Sequence, residues 1–237
     1  MSQKRLNNQG FTLVELLIVC PVLMICIAIL MNFMFNQYGN LLIQNTAVNL
    51  QVQASNIISS IRNEAKNSES FVSQTNDYLT DDFAPSGGWS ESDKSKTLII
   101  SRPAFSAKPG SPQSQPVVIK GDVCNPNDKF NYNVILFSEG NNLYKRIVTN
   151  TSSLNLCGSN YFKQTCPASN ASLDCPEDKL LTNQLESFSV SYYDNLGQKT
   201  ERPESATIVE VNIKLKDKAY AETVTAGSTM KIKRSNL

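Results

Sequence analysis

Glu15 is the one formal charge between Phe11 and Ile61, and it opens a run that stays apolar from Leu16 to Met31. A carboxylate carried into a bilayer is costly unless a partner offsets it, so an ionisable side chain in such a segment reads first as a functional residue. The chain supplies no cation after Phe11 until Arg62. Scission between Gly10 and Phe11 would create one: a new α-amino group four residues before Glu15, at the same depth. The chemistry available here is therefore charge pairing rather than catalysis. A neighbouring copy suits that amine better than the same helix does, because Glu15 can offer its charge sideways while its own N-terminus needs an equivalent acid; pairing between copies then sets their axial register.

Around this pair the residues read Lys4-Arg5-Leu6-Asn7-Asn8-Gln9-Gly10-Phe11-Thr12-Leu13-Val14-Glu15-Leu16-Leu17-Ile18-Val19. A short basic leader ending in Gly, then Phe-Thr-Leu-Val-Glu, resembles the class III signal of type IV pilins and type II secretion pseudopilins. That resemblance implies cleavage after Gly10 by a membrane-embedded prepilin peptidase and N-methylation of Phe11. It also implies an intersubunit role for Glu15, packing against other pilins or pseudopilins, and no cofactor. The region Leu185–Gly197, with Ala206–Leu215 and a basic last strand, is more loosely similar to J-type pseudopilins and W-type minor pilins.

Two other N-terminal signals compete. A secretory signal peptide would have a shorter apolar core and a small-x-small cleavage site, and neither is present. A lipoprotein signal would use Cys20, yet bulky Val19 precedes it, Pro21 follows it, and Glu15 would sit in its apolar core.

The elements that must position Glu15 follow from hydropathy. Residues 1–10 form the leader. Residues 11–35 span roughly 37 Å as a helix, enough to cross a hydrocarbon core of about 30 Å. Lys4 and Arg5 place the N-terminus in the cytoplasm and the remainder outside the cytoplasmic membrane, with the pilus, pseudopilus, periplasm or cell surface as later locations. Pro21 removes one backbone hydrogen bond and predicts a kink, and Gly39 is a second weak point. Over 36–66, the residues Ile43, Ala47, Leu50, Ala54, Ile57, Ile61 and Ala65 draw one apolar stripe, predicting an amphipathic continuation that docks on the chain's own head.

Residues 67–237 read as a β-rich head. Strands are predicted at Thr97–Ser101, Val117–Lys120, Tyr132–Phe137, Leu143–Val148, Leu185–Tyr193, Thr207–Leu215 and Thr229–Lys233. Ser86–Trp89 and the proline-rich 108–116 stretch are loops, Ser138–Asn142 is a hairpin turn, and Asp194–Gly197 is a turn. The fold class is α+β: a long N-terminal helix packed on an antiparallel sheet.

Of six cysteines, Cys20 and Cys26 fall in the apolar run and suit small packing residues. Cys124, Cys157, Cys166 and Cys175 suit disulfides in an extracytoplasmic domain, with three connectivities open. Eight residues separate Cys157 from Cys166 and Cys166 from Cys175, unlike the tight pairs of zinc sites. Three of these cysteines fall in 149–179, which reads as a disulfide-stapled surface insertion. Asp194, or Asp122 with Asp128, are calcium candidates, but the alternating carboxylates of a calcium loop are missing.

Composition narrows the function classes. The 237 residues carry a net charge of +1 and contain no histidine, which removes the commonest general base and metal ligand. No phosphate-binding loop, nucleophile elbow or Cys-x-x-Cys is present. No basic patch points to nucleic acid. The expectation is a structural subunit, with an adhesin or DNA-capture head, or an enzyme head on a single-pass or lipid anchor, as the alternatives.

Overall fold

A computed structural model describes residues 12–90, 97–121, 123–149 and 155–235. The chain opens with α1 (Leu13–Lys66), a single helix of 54 residues. Helical structure runs unbroken through Pro21 and Gly39, so neither expected weak point ends the helix. Proline withholds only its own amide hydrogen, and the bonds on both sides carry the helix past it.

The strands follow as β1 (Ser70–Val72), β2 (Thr97–Pro103), β3 (Val118–Lys120), β4 (Cys124–Lys129), β5 (Asn131–Glu139), β6 (Asn142–Val148), β7 (Leu156–Cys157), β8 (Lys179–Thr182), β9 (Leu185–Tyr193), β10 (Lys199–Thr200), β11 (Ile208–Ala219) and β12 (Glu222–Lys233). They form a five-stranded sheet β1-β2-β5-β6-β8, a four-stranded sheet β10-β9-β11-β12, and a small sheet β4-β3-β7. Every paired strand is antiparallel. The fold is α+β, with a long apolar N-terminal helix packed on antiparallel sheets.

All seven predicted strands are present, most of them longer than their apolar cores. The additional β4 (Cys-Asn-Pro-Asn-Asp-Lys) carries no hydrophobic alternation, so nothing local announces it. Strand β12 begins at Glu222 rather than Thr229: its first half, Glu-Thr-Val-Thr-Ala-Gly, has Val224 as its one large apolar residue and is held by pairing with β11 along its whole length. Gly227 is required within it: a Cβ there would lie 2.8 Å from the Ile213 carbonyl oxygen of β11.

Hydrophobic periodicity decides which part of α1 meets the head. Leu50, Ala54, Ile57, Ile61 and Ala65 are buried, and Ile43 and Ala47 are partly buried against the same core. Opposite them lie inward residues of β11 and β12, including Val209, Val211, Ile213, Val224 and Ile232. In β2 and β5 the buried residues are consecutive, Leu98, Ile99 and Ile100 against Val134, Ile135 and Leu136, so both faces of the larger sheet are covered.

Strand β12 runs in the same direction as the helix. Near its start, the ring of Tyr220 lies over Gly39; at its end, the Ser235 amide donates to the Lys66 carbonyl at 2.8 Å. The β11–β12 hairpin thus follows the whole second half of α1.

Candidate functional site

The helix starts at Thr12, which is extended (φ −75°, ψ 151°) and acts as N-cap. Its hydroxyl and amide both donate to Glu15 Oε2, at 2.8 and 2.9 Å, and the Glu15 amide donates back to Thr12 Oγ1 at 3.3 Å. This is a capping box, announced by the Thr-x-x-Glu spacing. Glu15, expected to lack a partner in its own chain, thus has one in Thr12. Thr12 is nonetheless a neutral donor. It satisfies lone pairs and leaves the charge uncompensated, and among the described residues no ion pair involves Glu15. Gly10 and Phe11, the expected cleavage pair, lie outside the described residues.

From Leu13 to Tyr38 every residue is exposed, and Gly39 is the first buried position of the helix. Large apolar side chains such as Leu17, Met24, Leu30 and Phe35 are exposed there. Cys20 and Cys26 are free thiols on the same bare surface, so whatever they pack against is not the head. The segment is long and apolar enough to be a candidate membrane span. The Leu13–Phe35 stretch measures roughly 34 Å at the helical rise.

The head holds three further constellations. Cys124 bonds to Cys157, with Cα atoms 6.0 Å apart, joining β4 and β7 on either side of β3. Cys166 bonds to Cys175, with Cα atoms 5.6 Å apart. Only the second bridge is internal to 149–179; the first fastens that segment back to β4.

In the last turn of α1, Glu64 accepts from Lys145 of β6 at 2.8 Å and from Arg102 of β2. Burial pushes the Glu64 carboxyl up, but the Lys145 and Arg102 charges and hydrogen bonds outweigh it, holding Glu64 below the ordinary carboxylate value.

Arg146 of β6 is buried at the floor of a cavity of about 910 Å³ lined in part by Trp89, Phe137, Tyr144, Glu139 and Glu177. Its guanidinium donates to Asp178 at 2.5–3.1 Å, to Asp81 at 3.2 Å and to the Phe83 carbonyl at 3.0 Å. It also lies 5.1 Å from the Trp89 ring centre and 5.4 Å from that of Phe137. Desolvation pulls its pKa down, and Asp178 and then Asp81 more than reverse this. All three guanidinium nitrogens of Arg146 donate within the head, and the described lining also presents aromatic rings, hydroxyls and the exposed carboxylates of Glu139 and Glu177. Asp81 and Asp178 are 65 and 32 residues away from Arg146, and no local pattern in the sequence could join them.

Of the calcium candidates, Asp194 spends its Oδ1 on the amides of Leu196 and Gln198, at 2.9 and 2.8 Å, within its turn. Asp128 is exposed on β4, and Asp122 lies outside the described residues. Among the described residues no cluster of three His, Cys, Asp or Glu side chains could hold a metal ion.

Comparison of the chain with protein-family models, with curated proteins and with solved structures finds no match.

Proposed function

We propose that the chain is a minor pilin or pseudopilin: a structural subunit held in the cytoplasmic membrane, processed between Gly10 and Phe11, and packed through α1 into a filament or its tip complex. The observation that carries this reading is the division of one helix into two halves with different partners. Among the described residues, those from Leu13 to Tyr38 are all exposed, whereas from Gly39 onward the inner stripe is docked on the head. An apolar half-helix of this kind demands lipid first and other helices once it leaves lipid. Glu15, already oriented by Thr12, then offers its uncompensated charge to the α-amino group of a neighbouring subunit.

Mass spectrometry of the mature N-terminus tests the reading. N-methyl-Phe11 is expected; an intact first ten residues, or a diacylglyceryl group on Cys20, would overturn it.

One observation favours a second role for the same subunit. The cavity beside Trp89, Phe137 and Tyr144, lined also by the exposed carboxylates of Glu139 and Glu177, has the mixed aromatic and polar character of a ligand-binding head, as an adhesin would require. Binding of soluble glycans to the full chain, lost in Tyr144→Ala and Glu139→Gln, would support that addition.

A further inference from the structure

The β11–β12 hairpin closes through two residues, Tyr220 and Ala221, with Ala219 paired to Glu222. Tyr220 takes φ 58°, and among the described residues it is the sole non-glycine with positive φ. In a two-residue turn whose first central residue has positive φ, glycine is the residue of choice, as Gly140 shows in the β5–β6 hairpin. A tyrosine in that slot is strained, and strain of this kind points to a role for the side chain.

Its position identifies the role. The Tyr220 ring lies over Gly39, where even a Cβ would come within 3.4 Å of two ring carbons. Gly39 is four residues beyond Phe35, the end of the apolar run, or roughly 6 Å along the helix. The interfacial layer on each side of a hydrocarbon core is of that same order, about 5–7 Å. Tyr220 therefore stands at the level where the span meets water. The adjoining Tyr38 is 61% exposed and Tyr220 itself 70% exposed, so the rings are available to a medium that is apolar on one side and wet on the other. Asn36, Gln37 and Asn40 flank Tyr38 and Gly39 in the sequence with neutral hydrogen-bonding groups. Lys216 and Lys218 at the tip are matched by Asp217 and Glu222, leaving no charge excess toward anionic lipid.

We propose that the tip of the β11–β12 hairpin is a membrane-contact site, with Tyr220 and Tyr38 seated in the zwitterionic headgroup layer of the bilayer that Leu13–Phe35 crosses. Aromatic rings with a polar tip favour that layer over either bulk water or hydrocarbon. The proposal rests on the reading of the chain as a membrane-anchored precursor. It adds that the head lies against the bilayer through this hairpin, instead of being held clear of it.

The test uses the full chain in phosphatidylcholine vesicles carrying a nitroxide either on the headgroup or deep in the acyl chain, with buried Trp89 as a constant background. Tyr220→Trp is expected to lose roughly twofold more of its added emission to the headgroup nitroxide than to the deep one. Ala221→Trp, the other turn residue, gives the same reading if the first variant fails to fold. Met24→Trp in the helix should be quenched by the deep nitroxide, and Leu173→Trp on an exposed loop by neither. If both turn variants are quenched no more than Leu173→Trp while Met24→Trp is quenched from the deep position, the hairpin contact is wrong and the anchor stands. If Met24→Trp also escapes, the anchor reading fails, and this proposal with it.

Discussion

Glu64 and Lys145 form a 2.8 Å ion pair that fastens the last turn of α1 to β6, with Arg102 of β2 closing on the other carboxylate oxygen. Both Glu64 oxygens are thus engaged by the larger sheet, while the opposite end of the docked half rests on the β11–β12 hairpin.

The pair makes stability depend on pH. The folded-state pKa of Glu64 lies below its ordinary value of 4.5, so its contribution is complete above that value and fades as pH falls through the folded one. Glu64→Gln should cost about 1–3 kcal/mol at neutral pH, because Arg102 and Lys145 lose a charged partner. Urea unfolding of the full chain in detergent checks this: the gap between parent and variant should shrink well below pH 4.5. A gap independent of pH would refute the electrostatic account.

Arg146→Met should be among the most damaging single changes in the head. Removing one member of a buried ion network leaves charges stranded, at about 3–5 kcal/mol, and here both Asp178 and Asp81 lose their cation. Adding Asp178→Asn to Arg146→Met should recover part of the loss in the same unfolding measurement. Simple additivity of the two losses would show that the groups are not coupled.

The two disulfides should contribute unequally. Cross-linking entropy grows with loop length, giving about 3–4 kcal/mol for the separation of 33 residues and about 2–3 for that of 9. Paired alanine substitutions at Cys124 and Cys157, and separately at Cys166 and Cys175, measure the difference by denaturant midpoint. Peptide mapping without reductant should recover Cys124 linked to Cys157.

Thr12 and Glu15 separate helix capping from assembly. If Glu15 served its capping box alone, Thr12→Val and Glu15→Val would impair the protein alike. Under the proposed role, both insert into membrane and only Glu15→Val is lost from sheared filaments or tip complexes. Equal incorporation of the two variants would remove the intersubunit role.

Gly39→Ala should leave stability within about 1 kcal/mol of the parent and tilt it upward, since alanine gains that much in helix propensity over glycine. The opposing contact, 3.4 Å to an exposed ring, can be relieved by a small shift of Tyr220. Gly39→Leu has no such escape and should lower the thermal midpoint.

Much of this architecture was legible because hydrophobic periodicity is local. The stripe from Ile43 to Ala65 foretold which face of α1 docks, and alternation or apolar runs located β2, β5, β6, β9 and β11. Strands held by their neighbours left no such trace: β4 has no hydrophobic alternation, and β7 and β10 are two residues each. At Glu15 the spacing to Thr12 announced a cap, but the urgency of the missing counter-ion masked it. Gly39 read as a weak point because a glycine in a helix is locally costly; its use, a flat place for Tyr220, depends on a residue far along the chain. The same holds for Arg146, whose acids come from two distant loops.

Because α1 extends for roughly 81 Å without interruption, the chain contains no slack between Thr12 and Lys66. The head is thus joined to Thr12 through helix alone, with no loop or linker in between.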